Sequence, residues 1–398
     1  MSVFLDPKEQ IEIIKDNVDD IVPEEELLFK LEKSFNSKKP LNIKAGFDPT
    51  SADLHLGHTL LIKKLKVFQE LGHKISFLIG DFTARIGDPT GRDKTRPPLD
   101  EDKIKENSLT YEKQIFKILN KKNVDILYNS NWFNKFDLKE IINLSSYGNV
   151  ARILERDDFK KRHKSGDSIT LTEFIYPLLQ AYDSVHIDSD IELGGSDQRF
   201  NILLGRQIQK AFKKGQQVAI FLPILEGLDG KLKMSKSYNN YIGIDENPND
   251  IFGKIMSISD NLMERYIDIL YPEKRDYFND IDNPLIKKKQ LACELINDYN
   301  DESAAKKALE NFDKTFSKKD FPDDIKLVEI KLLNKTIIDL IEELTQNSLT
   351  RSEIKRLIKS KSIQLNDNRN FELDFIPLKN ETYNIKIGKR KFYKAIFN

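Results

Sequence analysis

The sequence has a single cysteine, Cys293, in 398 residues, so neither an internal disulfide nor a cysteine-based metal cluster can form. Its setting, KKKQLACELINDY, reads as a helix in which a lone thiol serves as a small buried hydrophobe. No run approaches the roughly 18 consecutive apolar residues of a membrane span. The opening text, MSVFLDPKEQIEIIKDNVDDIV, lacks the basic segment and unbroken apolar core of a secretory leader. A cytoplasmic location without a membrane partner is therefore expected. Net charge is absent as well: 64 basic side chains balance 64 acidic ones, which argues neither for nor against a polyanionic partner. Internal repeats and low-complexity tracts are missing, which sets repeat architectures aside.

What remains is a globular composition, 39% hydrophobic and 32% charged, on a chain long enough for two or three domains. Short apolar runs at Asn42–Asp48 and Ile75–Gly80 read as buried parallel strands. Between them, Leu60, Leu61, Leu65, Phe68 and Leu71 keep helical spacing, and Gly72 marks a stop. Strand, helix, strand over this length is a βαβ unit, whose commonest host is a doubly wound sheet. Further strands are expected at Asp125–Tyr128, Val185–Glu192 and Val218–Leu222, separated by helical patterns at Ile141–Phe159 and Thr172–Ala181. An α/β domain over 1–222, Rossmann-like in order, is the expectation. A glycine-bearing loop region (223–245), a small helical domain (246–325) and a C-terminal α+β module (330–398) follow it, with Asp320–Asp324 as a linker.

Charge is unevenly spread despite its zero sum. Leu349–Asn398 holds 12 Lys and Arg against 5 Asp and Glu, so a polyanion-binding face should include the C-terminus. Arg351, Lys355, Arg356 and Lys359 share a basic helical face there; a merely solvated face is the alternative.

Two strings carry chemistry. In AGFDPTSADLHLGH, a strand ends at Asp48, a turn containing Pro49 and Thr50 follows, and His55-Leu56-Gly57-His58 opens the helix. Two imidazoles one turn apart at a helix N-terminus can donate to one phosphate chain, and Gly57 has no side chain to obstruct it. The same histidines could instead cap and pack, or bind a metal, although no Cys or third nearby His completes a metal site. Far downstream, Lys233-Met234-Ser235-Lys236-Ser237 sits in a glycine-containing loop, where lysines can close on phosphate as charge develops on a leaving group.

Together the two strings resemble the paired signatures of class I aminoacyl-tRNA synthetases. LIGDFTARIGDPTGR, TEFIYPLLQAYD, LGGSDQRFN and the C-terminal module make the chain similar, over essentially its whole length, to the tyrosyl-tRNA synthetases of the bacterial type with an S4-like C-terminal domain. The resemblance implies ATP, accompanied by magnesium, tyrosine and tRNA(Tyr) as substrates, two-step aminoacylation, and a homodimer. It implies charge stabilisation by Thr50, His55, His58, Lys233 and Lys236, with no metal held by protein ligands. Nucleotide contacts would come from Asp48, Gly57, Gly195, Asp197, Lys236, Arg92 and Arg96. The substrate ammonium would fall to Asp88, Tyr176 and Gln180, its carboxyl to Gln198 and its phenol hydroxyl to Asp183. Tyr176, Gln180 and Asp183 are spaced i, i+4, i+7 and so share one helix face.

Two positions depart from the pattern. Many members carry Tyr at the end of the first strand, sharing the phenol hydroxyl with the Asp, where this chain has Lys44. Gly-Ser-Asp-Gln is followed by Arg199-Phe200 in place of Trp-Gly. Tryptophanyl-tRNA synthetase is the alternative within the class, and an RNA-binding protein that has lost activation is the alternative outside it.

Overall fold

The computed structural model describes residues 5–89, 100–317, 325, 327–330, 335–345, 348–366, 368–378, 381–388 and 391–397. The chain divides into two compact units, Met1–Asp301 and Glu302–Asn398.

The first unit is built on a six-stranded sheet of β1 (Asp20–Val22), β2 (Asn42–Phe47), β3 (Lys74–Ile79), β4 (Val124–Tyr128), β5 (Ile191–Gly195) and β6 (Val218–Leu222), in the order β1-β6-β5-β2-β3-β4. Every pairing is parallel except that of β1, which runs antiparallel along the β6 edge. Ile43, Ile75, Phe77, Ile191 and Phe221 have no exposed surface, as expected of strands covered on both faces. The chain moves from β2 outward to β3 and β4, then returns to β5 and β6 on the other side. The order thus reverses between β2 and β5, and a crevice opens beyond the carboxyl ends of those strands. The site described below is built there.

The helix Leu56–Glu70 buries Leu60, Leu65 and Phe68; each such side chain contributes about 1.5–3 kcal/mol relative to exposure. Gly72, at φ 91°, takes the left-handed conformation that ends the helix. Two readings differ from the sequence. Val185–Ile187 belong to the helix Leu171–Ile187, not to a strand, and β5 starts only at Ile191. The β-branched Val185 and Ile187 mimic a strand, but Val185 is buried together with Leu178 and Leu179, and the turn falls at Asp188, φ 55°. The pattern at Ile141–Phe159 breaks into the helices Leu138–Ser145, Val150–Leu154 and Asp157–Ser165, the second capped by Asn149, whose side chain accepts from the Arg152 amide.

Helices Pro248–Ser257, Asp260–Leu270, Arg275–Asn279 and Pro284–Tyr299 complete the first unit. Cys293 lies in the last of these and is half-buried, more accessible than a core role requires. No helix among the described residues is long and apolar enough to cross a membrane.

The second unit comprises the helix Glu302–Ser317 and a four-stranded sheet of β7 (Leu327–Ile330), β8 (Ile363–Leu365), β9 (Thr382–Ile387) and β10 (Lys391–Phe397), in the order β7-β10-β9-β8. Helices Ile337–Leu344 and Arg351–Lys359 supply Ile337, Ile341, Ile354 and Ile358 to a core shared with Ile363 and Ile385. Asp320–Asp324 lies outside the described residues.

Candidate active site

A cavity of about 290 Å³ occupies the crevice. Its floor is made by the ends of β2 and β5, one wall by the helix Leu171–Ile187, and its mouth by the His55–His58 turn and the loop carrying Lys233 and Lys236. Asp48, just past β2, accepts from the Tyr176 hydroxyl (2.9 Å) and from Thr83 Oγ1 (2.8 Å). Gly80 is required beside it, since a Cβ there would come within 2.1 Å of Asp48 Oδ1. Thr50 lines the same space, with its amide donating to the Asp48 carbonyl (2.7 Å).

His55 caps the helix and His58 lies in its first turn. Their rings stack at 3.7 Å between centroids, and the His55 amide donates to His58 Nδ1 (3.2 Å). Burial, then the charges of Lys236 and Lys233, push His58 down to about 3; burial first, then His58, likewise lowers His55 well below its usual value. Both imidazoles are therefore neutral, and because Nδ1 of His58 accepts, its Nε2 carries the proton. His55 Nδ1 is buried without a hydrogen-bond partner among the described residues. The pair thus offers neutral N–H groups to an anion and no positive charge.

Positive charge comes from the loop. Lys233 Nζ donates to Asp197 Oδ2 (2.7 Å) and Lys236 Nζ to Asp53 Oδ2 (3.0 Å). Met234 is buried between them, its amide bonded to the Leu225 carbonyl (2.8 Å). Asn240 shapes the loop by accepting from the Ser235 amide (2.8 Å) and donating to Asp229 Oδ2 (2.6 Å). Beyond the loop, the Ile244 amide meets the Leu54 carbonyl (3.0 Å), and that of Leu56 meets Ile242 (3.0 Å). The two distant strings thus close one mouth.

At the other end Asp183 is 2% exposed and accepts from Trp132 Nε1 (3.0 Å) and Asn129 Nδ2 (3.4 Å). Burial is the largest influence and lifts its carboxyl to about 7 against the pull of Lys44, Trp132 and Asn129. Lys44 is wholly buried and spends its three N–H groups on Glu192 Oε1 (2.9 Å), Ser184 Oγ (2.8 Å) and the Gln180 carbonyl (3.2 Å). The residue standing in place of tyrosine is therefore a saturated ion pair, whose charge faces Asp183 without a hydrogen left to donate.

Gln198 Nε2 donates to Asp88 Oδ2 (2.8 Å), and Gly57, Gly194, Gly195 and Asp197 also line the cavity. The glycine at 194 answers a packing need as well as access, because a Cβ would lie 2.4 Å from Ile202 Cδ1.

A family model described as "tRNA synthetases class I (W and Y)" matches residues 36–317. The chain is 46% identical over 404 residues to the tyrosine--tRNA ligase of Carboxydothermus hydrogenoformans, covering 98% of each chain. It is 48% identical over 396 residues to that of Francisella tularensis, again with 98% of each covered. The chain belongs to the tyrosyl-tRNA synthetase family. In three dimensions it resembles a C-terminally truncated mitochondrial tyrosyl-tRNA synthetase of Aspergillus nidulans, with a TM-score of 0.62, 23% identity, and coverage of 78% of this chain and 99% of that one. At that identity the likeness speaks to the fold. The Aeropyrum pernix tyrosyl-tRNA synthetase gives a TM-score of 0.60 at 23% identity, covering 77% of this chain and 98% of the other.

Of the residues that the family pattern singles out, Asp48, Thr50, His55, Gly57, His58, Asp88, Tyr176, Gln180, Asp183, Gly195, Asp197, Gln198, Lys233 and Lys236 all line this one cavity. Arg92 and Arg96 lie outside the described residues. Arg351 is engaged by Asp339 (2.6 Å) and Glu342 (2.9 Å), whereas Lys355, Arg356 and Lys359 are exposed on the same helix. Thr83, Asn129, Trp132 and Asp53 were not legible as site residues. Each acts through a partner distant in sequence, as Asp53 does with Lys236, 183 positions away.

Proposed function

We propose that this chain charges tRNA(Tyr) with tyrosine in two steps. The tyrosine carboxylate attacks the α-phosphorus of ATP and pyrophosphate leaves. The terminal ribose of the tRNA then takes the acyl group and AMP is released. The observation that carries this reading is the polarity of the cavity: neutral imidazoles and loop ammonium groups at the mouth, and a buried carboxylate with two fixed donors at the blind end. A phenol hydroxyl reaching Asp183 places the amino-acid head group beside Asp88, Tyr176, Gln180 and Gln198.

At the mouth, His55 and His58 donate to phosphate oxygens, and Lys233 and Lys236 exchange their carboxylate partners for the departing pyrophosphate. Asp197, released from Lys233, receives the ribose. No side chain acts as a covalent nucleophile; catalysis is positioning plus charge stabilisation. Magnesium enters on the ATP phosphates. Among the described residues no group of three His, Cys, Asp or Glu is arranged to hold a metal. Asp183 favours tyrosine over phenylalanine, because a phenyl ring has no donor to satisfy the buried carboxylate. The test is tRNA charging with each labelled amino acid: tyrosine is expected to be transferred, and transfer of tryptophan alone would overturn the assignment.

The exposed cations Lys355, Arg356 and Lys359 of the second unit neutralise tRNA phosphates, and the enzyme works in the cytoplasm. The working species is a homodimer. Leu171, Leu138, Ile142 and Val150 are 81%, 75%, 61% and 59% exposed in the isolated chain, and large apolar side chains of this kind are what a second copy would cover. Leu171→Asp is expected to raise the dimer dissociation constant by about two orders of magnitude, since an unpaired carboxylate would be buried. Light scattering would then read one 46.2 kDa protomer where the parent reads two; equal masses for both would remove this face from the interface.

A further inference from the structure

Behind the head-group end of the cavity runs a chain of side chains with a fixed direction. Arg156 is clamped by Asp158 through Nε (3.2 Å) and Nη2 (2.7 Å), and its guanidinium lies over the rings of Phe159 (4.9 Å) and Phe200 (5.4 Å). Its Nη1 donates to Asn201 Oδ1 (3.0 Å). A guanidinium can only donate, so the Asn201 oxygen must face Arg156 and its NH2 must point the other way. That NH2 donates to Gln180 Oε1 (2.9 Å) and to Gln198 Oε1 (3.1 Å). Gln198, with its oxygen so engaged, turns its own NH2 to Asp88 Oδ2 (2.8 Å).

The consequence is a relay of polarity that starts at a donor-only cation and ends on a carboxylate. Neither Arg156 nor Asn201 lines the cavity, while Gln180, Gln198 and Asp88 all do. Asn201 is 1% exposed, so its amide cannot exchange these partners for water. Free glutamine amides could turn either way; here the carbonyl of each is pinned by one NH2 group. The Phe200 departure belongs to the same device, since its ring holds the guanidinium that sets the direction.

The geometry points to Asn201, oriented by Arg156, as a positioning residue that fixes the amide polarity of Gln180 and Gln198 and thereby aims Asp88 at the substrate ammonium. This rests on the tyrosine-activating reading. Asn201→Asp removes the NH2 while keeping the acceptor for Arg156, so both glutamines must turn their amides toward the new carboxylate and Asp88 loses the Gln198 donor.

The test is amino-acid-dependent pyrophosphate exchange by the full-length protein, read as separate KM and kcat values. For Asn201→Asp the tyrosine KM is expected to rise about tenfold or more, with kcat within about threefold and the ATP KM within about twofold of the parent. Asn201→Ala, which adds no charge, should raise the tyrosine KM by a smaller factor of about three to ten and keeps the test decisive if the Asp variant does not fold. An unchanged tyrosine KM in both variants overturns the proposal. So does a parallel loss of kcat, ATP binding and thermal stability, which would mark Asn201 as structural only. If the parent responds to a different amino acid, the functional reading fails, and the same split measured with that amino acid still decides the relay.

Discussion

Lys236→Ala is expected to lower kcat for adenylate formation by roughly 10²–10³-fold, the usual cost of removing one preorganised group that meets charge appearing in the transition state. The reason lies in the division of labour at the mouth. His58 is held near 3 by burial and by the neighbouring lysines, so at neutral pH neither histidine can supply charge. The ammonium groups of Lys233 and Lys236 must do so. In this state Lys236 is bonded to Asp53 and Lys233 to Asp197, so the ground state already satisfies both. On the proposed mechanism phosphate gains little from them until pyrophosphate begins to leave. The loss should accordingly appear in kcat, with the KM for tyrosine within about threefold of the parent. Rapid-quench measurement of adenylate formation reads this directly. A kcat within threefold of the parent would place Lys236 outside the reaction.

The second large effect concerns selectivity. Asp183→Ala leaves Trp132 Nε1 and Asn129 Nδ2 without their acceptor and leaves the phenol hydroxyl with nothing to receive its proton. A hydrogen bond to a charged group contributes about 1.5–3 kcal/mol, so preference for tyrosine over phenylalanine in kcat/KM should fall by roughly 10- to 150-fold, with ATP binding intact. The pH dependence of the parent follows from the same group. Burial lifts this carboxyl to about 7; above that value it is a carboxylate and accepts, below it the added proton removes an acceptor. The tyrosine KM should therefore rise as pH falls from 8 to 6, while in the Ala variant that rise should vanish. Equal selectivity in variant and parent would take Asp183 out of substrate recognition.

Much of this site was legible because its chemistry sits in short contiguous strings whose order matches the β-strand ends that carry them. His55 and His58 are read from one turn of helix, and Tyr176, Gln180 and Asp183 from one face of another. The sheet was legible for the same reason: β2, β3, β4 and β6 are apolar runs bounded by polar turns. Val185–Ile187 misled because β-branched residues at the buried end of a helix look like a strand when only local text is read. β1 was missed because an edge strand of three residues has no period to detect.

The supporting residues were invisible for a different reason. Asn129, Trp132, Asp53 and Arg156 are ordinary polar or aromatic residues until the fold brings them against Asp183, Lys236 and Asn201, and no spacing rule predicts that. Lys44 is the sharpest case. From sequence it is a missing tyrosine; in the structure it is a buried cation balanced by Glu192, with every donor committed. It therefore has no hydrogen to offer a phenol hydroxyl, and in the proposed reading that hydroxyl falls to Asp183, held by Trp132 and Asn129.

Pyrophosphate exchange into ATP, measured with each standard amino acid supplied singly, decides whether this cavity activates tyrosine. Exchange is expected to be stimulated by tyrosine, with phenylalanine and tryptophan far weaker; exchange driven by another amino acid, or by none, would rule that activation out.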